Sequence, residues 1–70
     1  MFDADEMKRR FMYHAPNDVT KELHQDVRVR VLEFADFLNA ALPDSREKSA
    51  AFTALEESQF WAHAALARNL

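Results

Sequence analysis

Arginine and aromatic side chains are the residues of this chain with the clearest capacity to hold a ligand. Tyr13 and His14 follow the basic triplet Lys8-Arg9-Arg10. Arg28 lies about 60° to one side of an apolar helical stripe, and Arg30 about 100° to the other. Each would flank a groove. Arg68 stands seven residues after Trp61, a spacing that puts both on one helix face. Rings stack on bases and guanidinium groups fork onto phosphate, so the combination suits a nucleotide. Residue type alone is a weak signal, because arginines on helix flanks are usually solvated and a lone tryptophan usually packs.

Catalytic readings find less support. The carboxylates sit on helix faces without a histidine at a spacing that would form an acid–base pair. His14, His24 and His63 do not match zinc-ligand spacing, and cysteine is absent. His24 points into the apolar stripe and reads as a hydrogen-bonded core or interface histidine. Glu56-Glu57 reads as solvated, or as paired with arginines of another copy. A phosphodiesterase would need carboxylates converging on a metal, and the pattern shows no such convergence. The expectation is a non-enzyme with no cofactor and no metal.

Nine basic residues against twelve acidic ones give a formal charge of −3. That disfavours a DNA or RNA polymer as partner but leaves room for a small anion in a locally basic pocket. No apolar run approaches the 18 or more residues of a membrane span. No leader pattern opens the chain, so a cytosolic, membrane-free protein is expected.

These residues must be positioned by helices. Glycine is absent, which removes Gly-rich phosphate loops and the usual hairpin turns. Pro16 and Pro43 cut the chain into three pieces. The first, about 3–12, reads as a short helix opened by an Asp3/Glu6 capping box. His14 to Asp18 form a connector. The second, about 19–41, carries Leu23, Val27, Val31, Phe34, Ala35, Leu38 and Leu42 on one face. Asp44 with Glu47 signals an immediate restart. The third stripe is Ala51, Phe52, Leu55, Ser58, Gln59, Ala62 and Leu66. So short a turn requires the two long helices to run antiparallel. The fold class is all-α: one domain over 1–70, an antiparallel two-helix hairpin with a short N-terminal helix.

A hairpin of this size leaves apolar surface unpaired. Seventy residues bury only about 60% of their unfolded surface, which is marginal without disulfides or metals. Yet 49% of the residues are hydrophobic. Val29, Leu32 and Phe37 fall outside the stripe of the second helix. Ala50, Ala54, Trp61 and Ala65 make a second stripe on the third, with Phe60 on another side. These faces predict partners, and the alanines would allow close helix approach. Self-association into a homo-oligomeric helical bundle is the first expectation. The alternative is a helical protein-interaction module that grips a different protein through its second apolar face.

The stretch Leu42-Pro43-Asp44-Ser45-Arg46-Glu47-Lys48-Ser49 continues through Thr53, Leu55-Glu56-Glu57, Trp61-Ala62 and Ala67-Arg68-Asn69. With Arg10-Phe11 and Tyr13-His14, it resembles the helical hairpin of phage anti-CBASS sponges, shared with anti-Thoeris sponges. The resemblance covers about residues 9–69. It implies a decoy that sequesters cyclic oligonucleotide messengers in the cytoplasm of the infected bacterium without cleaving them. It implies a hexamer, with cyclic dinucleotides between paired protomers and cyclic trinucleotides in separate pockets near the three-fold axis. Tyr13 matches the base-stacking tyrosine, with His14 beside it. Arg28 matches the basic residue at the phosphates, a role open to Arg30 in a shifted register. Arg68, followed by Asn69, matches the arginine of the trinucleotide pocket. His24 stands where the family pattern has tyrosine, and Leu42 where cysteine is frequent.

Overall fold

A computed structural model describes residues 1–70 as three helices: α1 (Ala4–Phe11), α2 (Asp18–Ala41) and α3 (Arg46–Asn69). Each begins at a side chain that satisfies orphan backbone donors. Asp3 accepts from the Glu6 amide at 2.8 Å. The expected Asp3/Glu6 capping box is only half formed, because the Glu6 carboxylate turns forward to Arg9 and Arg10. At α2 the full box exists, one element later than expected. Asn17 accepts from the Thr20 amide, and the Thr20 hydroxyl accepts from the Asn17 amide. At α3 the cap is Ser45, whose hydroxyl accepts from the Lys48 amide at 3.1 Å. The Asp44/Glu47 expectation is therefore off by one residue. Asp44 sits too early to reach that amide and instead pairs with Lys48 Nζ at 3.0 Å.

Lys48 also ties the turn together. Its ammonium donates to the Asn39 carbonyl at 3.0 Å, a bond to an orphan acceptor at the end of α2. Asn39 thus faces Lys48 near the turn, while His24 faces His63 far from it. The pairing advances in opposite directions along the two helices, which makes the hairpin antiparallel.

Along the seam, Leu23, Val27, Val31, Ala35 and Leu38 of α2 are half-buried, as are Ala51, Phe52, Leu55, Gln59, Ala62 and Leu66 of α3. Two expected members do not join. Phe34 is 51% exposed and its ring stacks on Phe37 at 6.4 Å, so it belongs to the outer face. Ser58 is exposed as well. Each helix has one neighbour, and a single neighbour covers a narrower arc than the seven-residue stripes of the sequence.

The consequence is a protomer without a sealed core. Only Thr20 is buried, at 4% exposure, and no hydrophobic residue is. The molecule measures 47 × 33 × 12 Å, so it is one helix thick. Its radius of gyration is 15.5 Å, against about 11 Å for a compact chain of this length. It exposes 5873 Å², against roughly 4,500 Å² for a folded monomer of its mass. Val29, Leu32, Phe37, Phe60 and Trp61 are all exposed, the outer faces the sequence left unpaired. The surplus area is of the order that one stable protein–protein interface removes.

Candidate functional site

The C-terminal end of α3 meets α1 through polar contacts. Arg9 Nη1 donates to Asn69 Oδ1 at 3.1 Å, and Arg68 Nη2 reaches the Arg10 carbonyl at 3.5 Å. The chain after α1 bends back, and His14 Nε2 donates to the Arg9 carbonyl at 2.8 Å. A carbonyl can only accept, so Nε2 carries the proton. The last carbonyls of α1 are thus covered by Met12, His14 and Arg68. A cation at this end also complements the helix dipole. Within the protomer these groups therefore have structural duties: His14 caps the end of α1, while Arg68 and Asn69 fix α1 to α3.

That docking creates a cleft of about 290 Å³ lined by Glu6, Arg9, Arg10, Phe11, Trp61 and Arg68. Three guanidinium groups and two aromatic rings meet there, with a single carboxylate. The shared face expected of Trp61 and Arg68 is realised. Arg9 and Arg10 are additions, since the sequence reading did not count them among the ligand-binding residues. A basic triplet closing a helix that must fold back onto α3 was the available signal.

Tyr13, Arg28 and Arg30 are placed differently. Tyr13 is 84% exposed, and both arginines lie on the exposed surface of α2. None of the three lines any of the three clefts on the protomer. The groove expected between Arg28 and Arg30 is not formed by one chain, because α3 covers only the narrow seam between them. Two mainly apolar grooves do exist, one of about 300 Å³ along Val31, Leu32, Phe52, Leu55 and Phe60 and one of about 360 Å³ along Phe60, Trp61 and Ala64 beside Glu57. Neither carries a guanidinium group.

The seam holds one polar pair. His24 Nδ1 and His63 Nδ1 lie 2.6 Å apart, and their rings stack at 4.8 Å between centroids. One nitrogen must donate and the other accept, so the pair cannot be doubly protonated and keep this bond. Burial holds the His63 pKa below its ordinary value, and the charges of His24 and Arg28 push the same way. The expectation of a hydrogen-bonded core or interface histidine at 24 is met at the seam between the two long helices, with His63 as its partner. No three His, Asp or Glu side chains come together in a way that could hold a metal ion. No helix is long and apolar enough to cross a membrane.

The sequence matches the family described as Acb2/Tad1, hairpin domain, over residues 3–67. The chain belongs to the Acb2/Tad1 hairpin-domain family. Its members are anti-CBASS and anti-Thoeris sponges, and the family is one of ligand-binding domains rather than enzymes. The match takes in α1, which the resemblance from residue 9 onward covered only in part. Tyr13, His14, Arg28 and Arg30 fall inside the matched span, while Arg68 and Asn69 lie just past it. No curated protein and no solved structure matches the chain.

Proposed function

We propose that the protein is an anti-defence sponge that binds cyclic oligonucleotide messengers and withholds them from CBASS effectors without cleaving them. The observation that carries this reading is the cleft in which Arg9, Arg10 and Arg68 meet Phe11 and Trp61, in a chain of the Acb2/Tad1 hairpin family. Guanidinium groups beside aromatic rings recognise phosphate and base together. Arg68 and Asn69 serve cyclic trinucleotides at this end of α3. Tyr13, His14, Arg28 and Arg30 serve cyclic dinucleotides in a pocket completed by a second copy. One chain leaves Tyr13 and Arg28 open to solvent, and a shared pocket gives both a purpose. The unsealed hairpin and its exposed outer faces support a homo-oligomer, for which the family resemblance suggests a hexamer. The site of action is the cytoplasm of an infected bacterium.

The exposed outer faces also favour a second reading, a module that grips a host or phage protein. Incubation with cyclic di- and trinucleotides, followed by heat denaturation, separates the two. A sponge returns intact ligand in stoichiometric amount. An interaction module takes up none, and an enzyme returns linear product.

A further inference from the structure

Glu6 is tied to Arg9 and Arg10 in a charged unit, and it is the one charged group of the cleft that the reading above does not explain. Arg10 Nε donates to Glu6 Oε1 at 2.8 Å, and Arg9 Nε lies 3.4 Å from Glu6 Oε2. All three side chains line the same cleft as Arg68. Three arginines against one carboxylate leave this cleft two charges positive, in a chain whose formal charge is −3. The basic groups are therefore concentrated here against the overall balance.

The guanidinium groups are held but not exhausted. Arg9 is fixed through Asn69, Arg10 lies 4.0 Å from the centre of the Phe2 ring, and Arg68 reaches the Arg10 carbonyl. Each guanidinium has five N–H donors, and these contacts occupy only a minority of them. The remaining donors suit an anion with several oxygens, such as a phosphate. The carboxylate already present is a smaller anion bound to the same two groups. Hydrogen bonding from Arg10, the largest influence on Glu6, holds its pKa below the usual carboxylate range, so it is ionised at neutral pH.

We propose that Arg9 and Arg10 contact phosphate alongside Arg68, and that Glu6 is the resident counter-ion of the cleft, lowering its affinity for phosphate by competing for the two α1 guanidinium groups. This rests on the reading of the Arg68 cleft as a phosphate-binding site and adds its regulation. Like charges a few ångströms apart repel even near a protein surface, so an incoming phosphate must share or displace the Glu6 contacts. Glu6 thereby keeps abundant small anions out of a cleft that a ligand with several phosphates can enter.

The test is calorimetric titration of the full chain at low salt with two probes, inorganic tripolyphosphate and cyclic triadenylate. Glu6→Gln keeps an acceptor oxygen but removes the charge, and Asp5→Asn removes a charge from the same helix outside the cleft. Circular dichroism verifies that each variant keeps its helices. Glu6→Gln should tighten both probes about tenfold, Asp5→Asn should change neither by more than about twofold, and Arg9→Ala or Arg10→Ala should weaken both about tenfold. Unchanged or weaker binding by Glu6→Gln with helices intact overturns the proposal. If Glu6→Gln loses helicity, unchanged binding by Arg9→Ala and Arg10→Ala overturns it, and a tenfold loss supports the arginine contacts. Absence of tripolyphosphate binding in every variant overturns it too. Cyclic triadenylate binding that responds to Arg68→Ala, but not to the α1 variants, leaves the sponge reading standing and removes this one. Tripolyphosphate binding with the expected variant effects, but no cyclic triadenylate binding, does the reverse.

Discussion

Around Arg68 a single chain assembles a cleft, whereas around Tyr13 and Arg28 it leaves the side chains apart. The difference lies in what anchors each region. The Arg68 end faces carbonyls at the end of α1 that have no partner within the helix and attract cations and N–H donors. There α1 docks on α3 through the Arg68–Arg10 and Arg9–Asn69 hydrogen bonds. His14 beside Tyr13 is bonded to the Arg9 carbonyl, but no side-chain hydrogen bond holds Tyr13 or Arg28 itself. Tyr13 sits in the connector between α1 and α2, and Arg28 projects beside a seam that closes on His24 and His63. One region closes a cleft within a lone protomer, and the other stays open to solvent in it.

The strongest way to break this contrast is to block assembly. Ala54 is exposed on the outer stripe of α3. Ala54→Glu would bury an unpaired charge at a helix–helix contact, a cost of several kcal/mol. Sedimentation should show the mass falling toward 8.1 kDa. Cyclic dinucleotide binding should be lost with it, while tripolyphosphate binding at the Arg68 cleft persists. Wild-type protein that already sediments as a monomer and binds cyclic dinucleotides would make the shared pocket untenable.

Exchanging ligands sharpens the same contrast. Arg68→Ala should weaken cyclic trinucleotide binding by about 1.5–3 kcal/mol and spare cyclic dinucleotides, with Arg28→Ala doing the opposite. Lysine at either position should retain part of the affinity, since it keeps the charge without the fork. Titrations of each variant against each ligand, with mass checked, decide the matter. Parallel losses with assembly intact would mean one pocket.

Tyr13 gives a finer test. If its exposed ring stacks on a base, Tyr13→Ala should cost about 1–3 kcal/mol in cyclic dinucleotide binding and Tyr13→Phe much less. Cyclic trinucleotide binding should be unaffected. Full affinity in the alanine variant would remove Tyr13 from the site.

The smallest effect concerns the seam between the two regions. Because the folded state holds the His63 pKa down, the unfolded chain binds more protons just below the ordinary histidine value of about 6.5. Stability should be full above that pH and fall as pH drops toward the lower folded value. Urea midpoints across pH 7 to about 5 should slope in the wild type and flatten in His63→Leu. Identical slopes would show that the pair has no part in the pH dependence.

The sequence made the local features readable because their causes are local. Asp3 caps α1, Pro43 falls between α2 and α3, and apolar residues at three- and four-residue spacings identify α2 and α3 as helices. The surplus of apolar faces could also be counted, since a hairpin gives each helix one partner. Other features needed distant residues to meet. Phe34 and Leu38 lie on the same stripe, yet the position of α3 turns one outward and half-buries the other. His24 finds His63 across 39 residues, and Arg68 reaches Arg10 across 58. Helix formation and capping depend on neighbours within about one turn, so residue order determines them. The azimuth of the seam and the docking of α1 depend on how two finished helices meet, and only the tertiary structure decides that.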